Sequence, residues 1–402
     1  MHNCIPVTHD IFWIGGNDRR LALFESVYPI PRGVSYNAYL VTGARTVLLD
    51  TVDRAVSEVF FENLDHLLAD RPLDFVIVNH MEPDHAATLA EVVRLHPEAT
   101  VVCNAKTRTM IEQFFSTDFA ASLHMQLVKE GDTLDTGSHR FTFVMAPMVH
   151  WPEVMVTYET TEKVLFSADA FGTFGALDGQ IFADRESFDS KYIDDARRYY
   201  TNIVGKYGKH VQKLLGKAAG LDIKRLCPLH GQIWDRDIDY ILDKYQHWST
   251  YQPEEKGVVI AYASMYGNTE SAANLLALML RERGVRNLSV INLMSTHPSY
   301  LVSDAFRYSN IVLAAPTYNN GLQPMMVAAI EDMAGMAVQN RKYSLIANGS
   351  WSAASEKCMQ ELISGMEGMT QVGDSFIIRS SMKADQTADL ELLADKIVES
   401  MQ

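Results

Sequence analysis

The sequence has few cysteines and none of the paired spacings that cysteine-based metal sites use. Cys4, Cys103, Cys227 and Cys358 are widely separated and form no Cys-x-x-Cys pair. This excludes a rubredoxin-type iron centre and a structural zinc knuckle. Scattered free thiols are typical of a reducing compartment, so we expect a cytoplasmic protein.

Long apolar runs and an excess of positive charge are also missing. No stretch approaches the roughly 18 apolar residues of a membrane span. The first residues, MHNCIPVTHDIFWIGG, lack the basic flank and apolar block of a signal peptide. The formal net charge of −15 argues against non-specific binding to nucleic acid or anionic lipid. We therefore expect neither a nucleic-acid nor a membrane partner.

The length of 402 residues predicts two domains, because one hydrophobic core rarely organises so long a chain. The polar segment YQPEEKG, residues 251–257, contains a proline, a glycine and several charges, which is typical of a linker. We predict a first domain over 1–250, a linker over 251–256 and a second domain over 257–402.

Short apolar, β-branched runs predict strands on both sides of this linker. In the first part the predicted strands are 46–53, 74–80, 100–105, 139–147, 163–169 and 225–231, with a long helix over 188–218. In the second part, strands at 257–264, 288–293, 310–317 and 342–350 alternate with helices near 269–284, 299–308, 324–336, 352–366 and 384–401. This alternation predicts a doubly wound parallel sheet in the second domain.

The segment IVNHMEPDHAATL, residues 77–89, places four metal-ligating side chains within six positions: His80, Glu82, Asp84 and His85. Alternate side chains of an extended segment point to the same side, so His80 and Glu82 could bind one metal ion. Asp84 and His85 could then reach a second ion beyond it.

Three more candidate ligands stand at the ends of later predicted strands: His150, Asp169 and His230. Strand ends converge on one edge of a sheet, where sites are commonly built. A single histidine there is more often packed or solvated than bound to metal. One dense cluster followed by three such residues instead favours a two-metal site, with one carboxylate shared.

This pattern resembles the metallo-β-lactamase superfamily, whose hydrolases carry His-x-His-x-Asp-His and bind zinc. Here Glu82 replaces the second histidine, which makes the site richer in anionic oxygen and suits non-haem iron. The replacement favours redox chemistry over hydrolysis. Hydrolysis at a zinc site remains the alternative.

The segment YASMYGNTE, residues 262–270, leaves a predicted strand and enters a predicted helix, where backbone N–H groups can bind an anion. It has no lysine or arginine and no nucleotide P-loop ending. Two later loops follow the next strands and supply Tyr318 and Trp351. Packing and ring stacking on a ligand are equally open interpretations for these two aromatic side chains.

The three loops together resemble flavodoxin, which binds FMN. The residues that this resemblance assigns to the cofactor are Ser264, Met265, Tyr266, Gly267, Asn268 and Thr269 in the first loop, Pro316, Thr317, Tyr318, Asn319, Asn320 and Gly321 in the second, and Ser350, Trp351 and Ser352 in the third.

The order of motifs over essentially the whole chain resembles the flavodiiron proteins, also called A-type flavoproteins. The resemblance implies an N-terminal metallo-β-lactamase-like αββα sandwich and a C-terminal flavodoxin-like sheet. It also implies FMN and two iron ions per chain with a bridging oxo or hydroxo group. In this family's arrangement, His80, Glu82 and His150 would bind one iron, Asp84, His85 and His230 the other, and Asp169 would bridge. In some members the histidine matching His85 turns away and water replaces it.

The resemblance implies reduction of dioxygen to water, of nitric oxide to nitrous oxide, or both. Two ferrous ions and a flavin hydroquinone together hold the four electrons that one dioxygen requires. The family arranges flavin and irons in a head-to-tail dimer or a dimer of dimers, with one subunit's flavin facing the partner's irons. The chain ends soon after the flavodoxin pattern, so we expect an external electron donor: rubredoxin, a flavin reductase or a reduced deazaflavin coenzyme.

The sequence leaves the gas preference, the donor, the oligomeric state beyond a dimer and the role of His85 open. The first rival to the reductase is a zinc metallo-hydrolase fused to a flavodoxin-like electron-transfer domain. A non-enzymatic electron carrier is the second, although its scaffold would not need seven ligand positions. Five side chains near ligands or the flavin loops could tune substrate preference or simply pack: Met148, Trp151, Phe171, Phe174 and Tyr266.

Overall fold

A computed structural model describes residues 2–402 and divides them into two compact units. The first unit contains the described residues up to Tyr200 together with Lys209–Tyr245. The second contains Thr201–Gly208 and Gln246–Gln402. The linker predicted at 251–256 thus lies shortly after the second junction, whereas assignment of 201–208 to the second unit was not predicted. The domain limits of 1–250 and 257–402 stay a prediction.

The first unit is built from many short strands. In chain order β1–β16 are Ile5–Pro6, Ile11–Trp13, Gly16–Asp18, Leu23–Phe24, Tyr28–Pro29, Val34–Tyr36, Tyr39–Val41, Val47–Leu49, Phe75–Ile77, Thr100–Cys103, His124–Leu127, Thr133–Asp135, Arg140–Met145, Met155–Glu159, Val164–Phe166 and Arg225–Cys227. The α-helices α1–α9 are Ser57–Leu68, Pro83–Ala86, Leu89–Leu95, Ala105–Phe114, Thr117–Ser122, Arg185–Lys191, Ile193–Tyr199, Gly208–Ala218 and Ile238–Ser249.

Two mixed sheets share one core in this unit. The larger has the order β1-β2-β7-β8-β9-β10-β11, and the other has the order β12-β13-β14-β15-β16. Buried side chains from both sheets, including Ile77 and Val102 from one and Phe143 and Phe166 from the other, belong to the same apolar cluster. The strands predicted in this part of the sequence are all present.

The long helix predicted over 188–218 is interrupted. After α6 and α7 the chain forms a π-helix over Tyr200–Val204 and a 3₁₀ turn over Gly205–Tyr207 before α8 begins at Gly208. Two glycines within four residues weaken helix propagation, which accounts for the break.

The second unit contains a single parallel sheet. Strands β17–β23 are Glu255–Tyr262, Leu288–Asn292, Tyr308–Tyr318, Gly321–Leu322, Lys342–Asn348, Thr370–Gln371 and Phe376–Ile378, and helices α10–α14 are Asn268–Glu282, Pro298–Arg307, Pro324–Gly335, Ala354–Ile363 and Thr387–Ser400. The order is β18-β17-β19-β21, followed by β22 and β23, with β20 paired to β19 as a short antiparallel extension.

The strand order of this sheet reverses between β17 and β19, which lie side by side in parallel. In doubly wound sheets ligands bind outside the carboxyl ends of the strands at such a switch point. The predicted doubly wound sheet is therefore confirmed, and its topology directs attention to the loops after β17, β19 and β21. Among residues 2–402, none of the helices has the length and apolar character needed to cross a membrane.

Candidate metal centre and flavin cleft

The fold of the first unit brings all seven predicted metal ligands together. His80 and Glu82 follow β9, Asp84 and His85 lie on α2, His150 is in the β13–β14 connection, and Asp169 and His230 follow β15 and β16. Their ligand atoms form two groups, each with all members within 4.8 Å: His80, Glu82, His150 and Asp169 in the first, and Asp84, His85 and His230 in the second.

In the first group, carboxylate oxygens and imidazole nitrogens converge on one point. Glu82 Oε2 lies 3.2 Å from His80 Nε2 and 2.9 Å from His150 Nε2. Asp169 Oδ2 lies 3.3 Å from His80 Nε2 and 3.0 Å from His150 Nε2. Metal–ligand bonds of about 2.0–2.2 Å place neighbouring ligand atoms about 3 Å apart, so these separations suit one metal ion.

The second group faces the other oxygen of the same aspartate. Asp169 Oδ1 lies 3.2 Å from His85 Nε2 and 3.8 Å from His230 Nε2. Asp84 Oδ2 lies 3.4 Å and 3.3 Å from the same two nitrogens. Asp169 therefore directs one oxygen to each group, as a bridging carboxylate would.

His85 points its Nε2 atom into the second group, where it lies 3.0 Å from His230 Nε2. Its backbone carbonyl accepts hydrogen bonds from Thr51, but its Nδ1 atom has no partner among the described residues. The Nε2 atom of His85 is thus directed into the second group, while its Nδ1 atom lacks the hydrogen-bond partner that the rings of His80 and His230 have.

Several buried oxygens of the cluster lack hydrogen-bond donors. In the described part of the chain, both oxygens of Asp84, and Oδ1 of Asp169, accept no hydrogen bond of ordinary geometry, although imidazole nitrogens lie 3.2–3.4 Å from Asp84 Oδ2 and Asp169 Oδ1. Buried, unpaired carboxylate oxygens are costly unless a cation compensates them. Four imidazoles and three carboxylates, converging in two groups around such oxygens, therefore fit two transition-metal ions such as iron.

The electrostatics of the cluster lead to the same conclusion. Burial lowers the pKa of His150, but Asp169 and Glu82 outweigh it and raise the pKa to about 9. Burial likewise raises the pKa of Glu82, but hydrogen bonds with His150 and His80 hold it well below its ordinary value. The carboxylates thus create a negative potential that attracts positive charge, which metal ions can supply in place of protons.

Residues behind the ligands orient them. His80 Nδ1 donates to Glu153 Oε1 at 2.8 Å, and that oxygen also accepts from Met81 N at 2.9 Å. His230 Nδ1 donates to the Ser35 carbonyl at 2.7 Å. Asp50 accepts from the backbone N–H groups of Asn79 at 2.7 Å and His80 at 3.2 Å. Such partners fix the ring orientation and raise the basicity of the ligand nitrogens.

The sequence analysis did not identify these supporting residues. Glu153 stands three positions after His150 in HWPE, and Asp50 ends an apolar strand run, so both had a local signal. Ser35 acts through its carbonyl, which any residue type could supply.

A cavity of about 390 Å³ opens beside Glu82 and Asp84. Its other lining residues come from an N-terminal hairpin and neighbouring loops: Leu21, Leu23, Phe24, Glu25, Ser26, Tyr36, Asp53 and Pro83. The hairpin residues were not predicted. Of the predicted tuning residues, Trp151 lies edge-on to His80 with ring centroids 5.4 Å apart, and Phe171 packs on Tyr245 at 4.3 Å.

In the second unit, a cleft of about 220 Å³ lies at the switch point between β17 and β19. Ten predicted cofactor residues line it: Ser264, Met265, Tyr266, Asn268, Thr269, Pro316, Thr317, Ser350, Trp351 and Ser352. Five others, Gly267, Tyr318, Asn319, Asn320 and Gly321, are not among its lining residues. Three lining residues were missed: Asn348, Gly349 and Ser380.

The geometry of this cleft suits a phosphate and a flat ring. Gly267 adopts a positive φ of 87° immediately before α10, and the α10 N-terminus presents free backbone N–H groups to an anion. Tyr266 and Trp351 are 91% and 83% exposed, so their rings are available to a ligand or another surface. Ser380 was missed because the short strand β23, which precedes it, was not predicted.

Comparison with known proteins supports both halves of this description. Residues 34–231 match the family described as ODP family beta lactamase, and residues 260–393 match the flavodoxin family. A curated relative from Klebsiella pneumoniae, named anaerobic nitric oxide reductase flavorubredoxin, is 31% identical over 353 residues, covering 87% of this chain and 72% of the relative.

Solved structures are similar over nearly the full length. The rubredoxin oxygen:oxidoreductase of Desulfovibrio gigas aligns with a TM-score of 0.90 and 26% identity, covering 99% of this chain and 98% of that one. The flavodiiron protein of Giardia intestinalis aligns with a TM-score of 0.91 and 23% identity over 99% and 98% of the two chains, a likeness of fold.

These matches agree with the buried carboxylate and imidazole groups of the first unit and with the flavodoxin topology of the second. The predicted fold class, an αββα sandwich followed by a doubly wound sheet, is confirmed. The predicted cofactors, FMN and a diiron site, are confirmed as well. The chain belongs to the flavodiiron proteins and is an oxidoreductase.

Proposed function

We propose that this chain reduces dioxygen to water, nitric oxide to nitrous oxide, or both, at two irons held by the seven clustered residues. The observation that supports this most directly is the position of Asp169, whose two carboxylate oxygens face the two separate groups. The names of the relatives support both gases, since one is called a nitric oxide reductase and another an oxygen oxidoreductase. Membership of the flavodiiron family does not favour the zinc hydrolase.

His80, Glu82 and His150 would hold one iron, Asp84, His85 and His230 the other, and Asp169 would bridge them. At that position, two ferrous ions would each supply one electron for the reduction of a small molecule. The chain itself orients the two histidines. Glu153 and the Ser35 carbonyl accept hydrogen bonds from the Nδ1–H groups of His80 and His230, so the lone pair of each Nε2 atom is directed into the site.

The cavity beside Glu82 and Asp84 suits small, weakly polar gases. Leu21, Leu23 and Phe24 supply apolar walls opposite the carboxylates of Glu25, Asp53, Glu82 and Asp84, and a volume of about 390 Å³ admits diatomic molecules. The edges of Phe24 and Tyr36 face the His230 ring, at centroid distances of 5.5 and 5.7 Å, which limits access of water to that ligand.

The cleft around Thr269, Asn348 and Trp351 would hold FMN, with the phosphate at the start of α10. We propose a head-to-tail homodimer, in which a partner surface covers this cleft. Support comes from Met265, Tyr266 and Trp351, which are large apolar side chains exposed at the cleft. A rubredoxin is the proposed electron donor, in keeping with the names of the relatives. A monomer that retains full activity on dilution would contradict the dimer.

The test is to reduce the protein containing iron and FMN, and to supply dioxygen and, under anaerobic conditions, nitric oxide in separate experiments. We expect rapid consumption of at least one gas, with nitrous oxide as the product wherever nitric oxide is consumed. Protein stripped of FMN should complete at most one turnover, because no flavin is present to reduce the irons again. If neither gas is consumed, or if the protein binds zinc and hydrolyses esters or thioesters, the proposal is wrong.

A further inference from the structure

A cluster of two histidines and one cysteine lies on the first unit, outside the set of seven proposed iron ligands. It consists of His2, Cys4 and His66, and one ring nitrogen of each histidine and the thiol sulfur all lie within 4.8 Å of one another. His2 and Cys4 belong to the N-terminal segment, and His66 lies in the last turn of α1. The proposed gas reduction uses none of them.

The N-terminal segment is held against α1 at the residue between these two ligands. Asn3 N donates to Asn63 Oδ1 at 2.7 Å, and Asn63 Nδ2 donates to Asn3 Oδ1 at 2.8 Å and to the Ile14 carbonyl at 3.2 Å. Asn63 is fully buried and precedes His66 by three positions, so both lie on the same side of the helix. The paired amides therefore place His2 and Cys4 next to His66.

The chain is also held directly after Cys4. Ile5 begins β1, where it pairs with Trp13 of β2. Cys4 is thus enclosed between an amide pair on one side and a strand on the other, which restricts where its sulfur can lie. The cluster is organised by the fold and is not a chance contact of a loose terminus.

The separations suit a zinc ion. With Zn–S near 2.3 Å and Zn–N near 2.0–2.1 Å, a tetrahedral site places sulfur and nitrogen about 3.6 Å apart. Cys4 Sγ lies 3.9 Å from His2 Nδ1. The His2 and His66 rings are stacked, with centroids 3.4 Å apart and planes 8° from parallel. A metal ion requires the two lone pairs to converge, and His2 is exposed, so its ring can turn to meet one.

We propose that His2, Cys4 and His66 bind one Zn²⁺ ion, which fastens the N-terminal segment to α1. One thiolate and two imidazoles form a donor set that zinc prefers and that magnesium and calcium do not. Three protein ligands leave the fourth tetrahedral position to water. Binding replaces the Cys4 thiol proton, so one proton leaves for solvent as the Zn–S bond forms.

The test measures alkylation of Cys4 by iodoacetamide in the protein containing iron and FMN, with and without added zinc chloride. Peptide mass spectrometry reports each cysteine separately. A zinc concentration ten times the dissociation constant leaves about one tenth of the site free, so Cys4 should react about tenfold more slowly. Cys358 is the internal control, because it is also half-buried and belongs to no such cluster among residues 2–402. Its rate should not change.

Variants identify the ligands. His66→Ala and His2→Ala should each remove the protection of Cys4, whereas His124→Ala, which changes an exposed histidine on β11, should retain it. Unchanged FMN content and circular dichroism establish that the variants are folded. Zinc should raise the melting temperature of the parent protein but not of His66→Ala. Cys4 reactivity that does not respond to zinc, or that responds equally in His66→Ala, would overturn the proposal.

Discussion

Replacing Glu153 with glutamine should weaken iron binding without removing a direct ligand. Glu153 Oε1 accepts from His80 Nδ1 at 2.8 Å and from Met81 N at 2.9 Å, and a glutamine carbonyl can accept both bonds. The substitution therefore preserves shape and removes charge. Burial alone would raise the pKa of Glu153, but the hydrogen bond with His80 lowers it, so the residue is ionised at neutral pH.

The magnitude follows from the role of a carboxylate behind a metal-bound histidine. A charge-assisted hydrogen bond is about twice as strong as a neutral one. Loss of such a partner typically lowers metal affinity about 10- to 100-fold, which corresponds to about 1.4–2.7 kcal/mol. We expect the variant to lose iron to a chelator at a concentration about 10- to 100-fold lower than the parent requires.

The assay is anaerobic competition between protein and a coloured ferrous chelator, with bound FMN measured in parallel. Glu162→Gln, a change of the same kind at a carboxylate that pairs with His9 and not with a histidine of the seven-residue cluster, is the matched control. Because FMN lies in the second unit, its content should be the same in all three proteins. Iron binding by Glu153→Gln that matches the control would refute the argument. Loss of FMN together with iron would instead indicate general unfolding.

Three further changes test other parts of the structure. Asp169→Ala should abolish gas reduction and deplete iron while FMN stays bound, as iron and flavin analysis would show; retained activity would contradict the bridging role. Gly349→Ala should weaken FMN binding about tenfold or more and leave iron content unchanged, because an added Cβ would lie 1.7 Å from the Ser352 carbonyl oxygen. The fluorescence of released FMN measures this affinity, and an unchanged affinity would contradict the assignment of FMN to the cleft. Burial lowers the pKa of His139, but hydrogen bonds with Glu159 and Asp10 raise it above 6.5. The protonated His139 ring therefore stabilises the folded state fully below pH 6.5, and this stabilisation is lost as the pH rises through the folded-state pKa. His139→Gln should then lower the melting temperature by a few degrees at pH 6 and by less at pH 9. A deficit that is constant across that range would refute the ionic explanation.

The seven clustered residues could be predicted as candidate metal ligands because each carries its own chemical signal. His80, Glu82, Asp84 and His85 are crowded in one segment, and the other three candidates follow apolar strands, so strand periodicity and residue type were sufficient to find the cluster. The division of Asp169 between two groups could not be predicted from spacing, since it depends on how four strand ends and α2 meet in space.

Short elements and backbone contacts escaped prediction. Strands of two or three residues, such as β4 and β5 of the hairpin over the cavity, are too brief for a period-two pattern to stand out. The same holds for β23, and with it Ser380 was missed. The carbonyl of Ser35 orients His230 without any side-chain signal. Gly205 and Gly208 marked the interruption of the predicted helix over 188–218, but the apolar spacing around them dominated the interpretation.

The central claim is that one aspartate links two irons in a single buried site. Mössbauer spectroscopy of protein loaded with ⁵⁷Fe, combined with iron and protein quantification, tests it most directly. We predict two irons per chain whose oxidised spectrum shows a magnetically coupled pair with a diamagnetic ground state. One iron per chain, or two that behave as isolated high-spin ferric ions, would contradict the account.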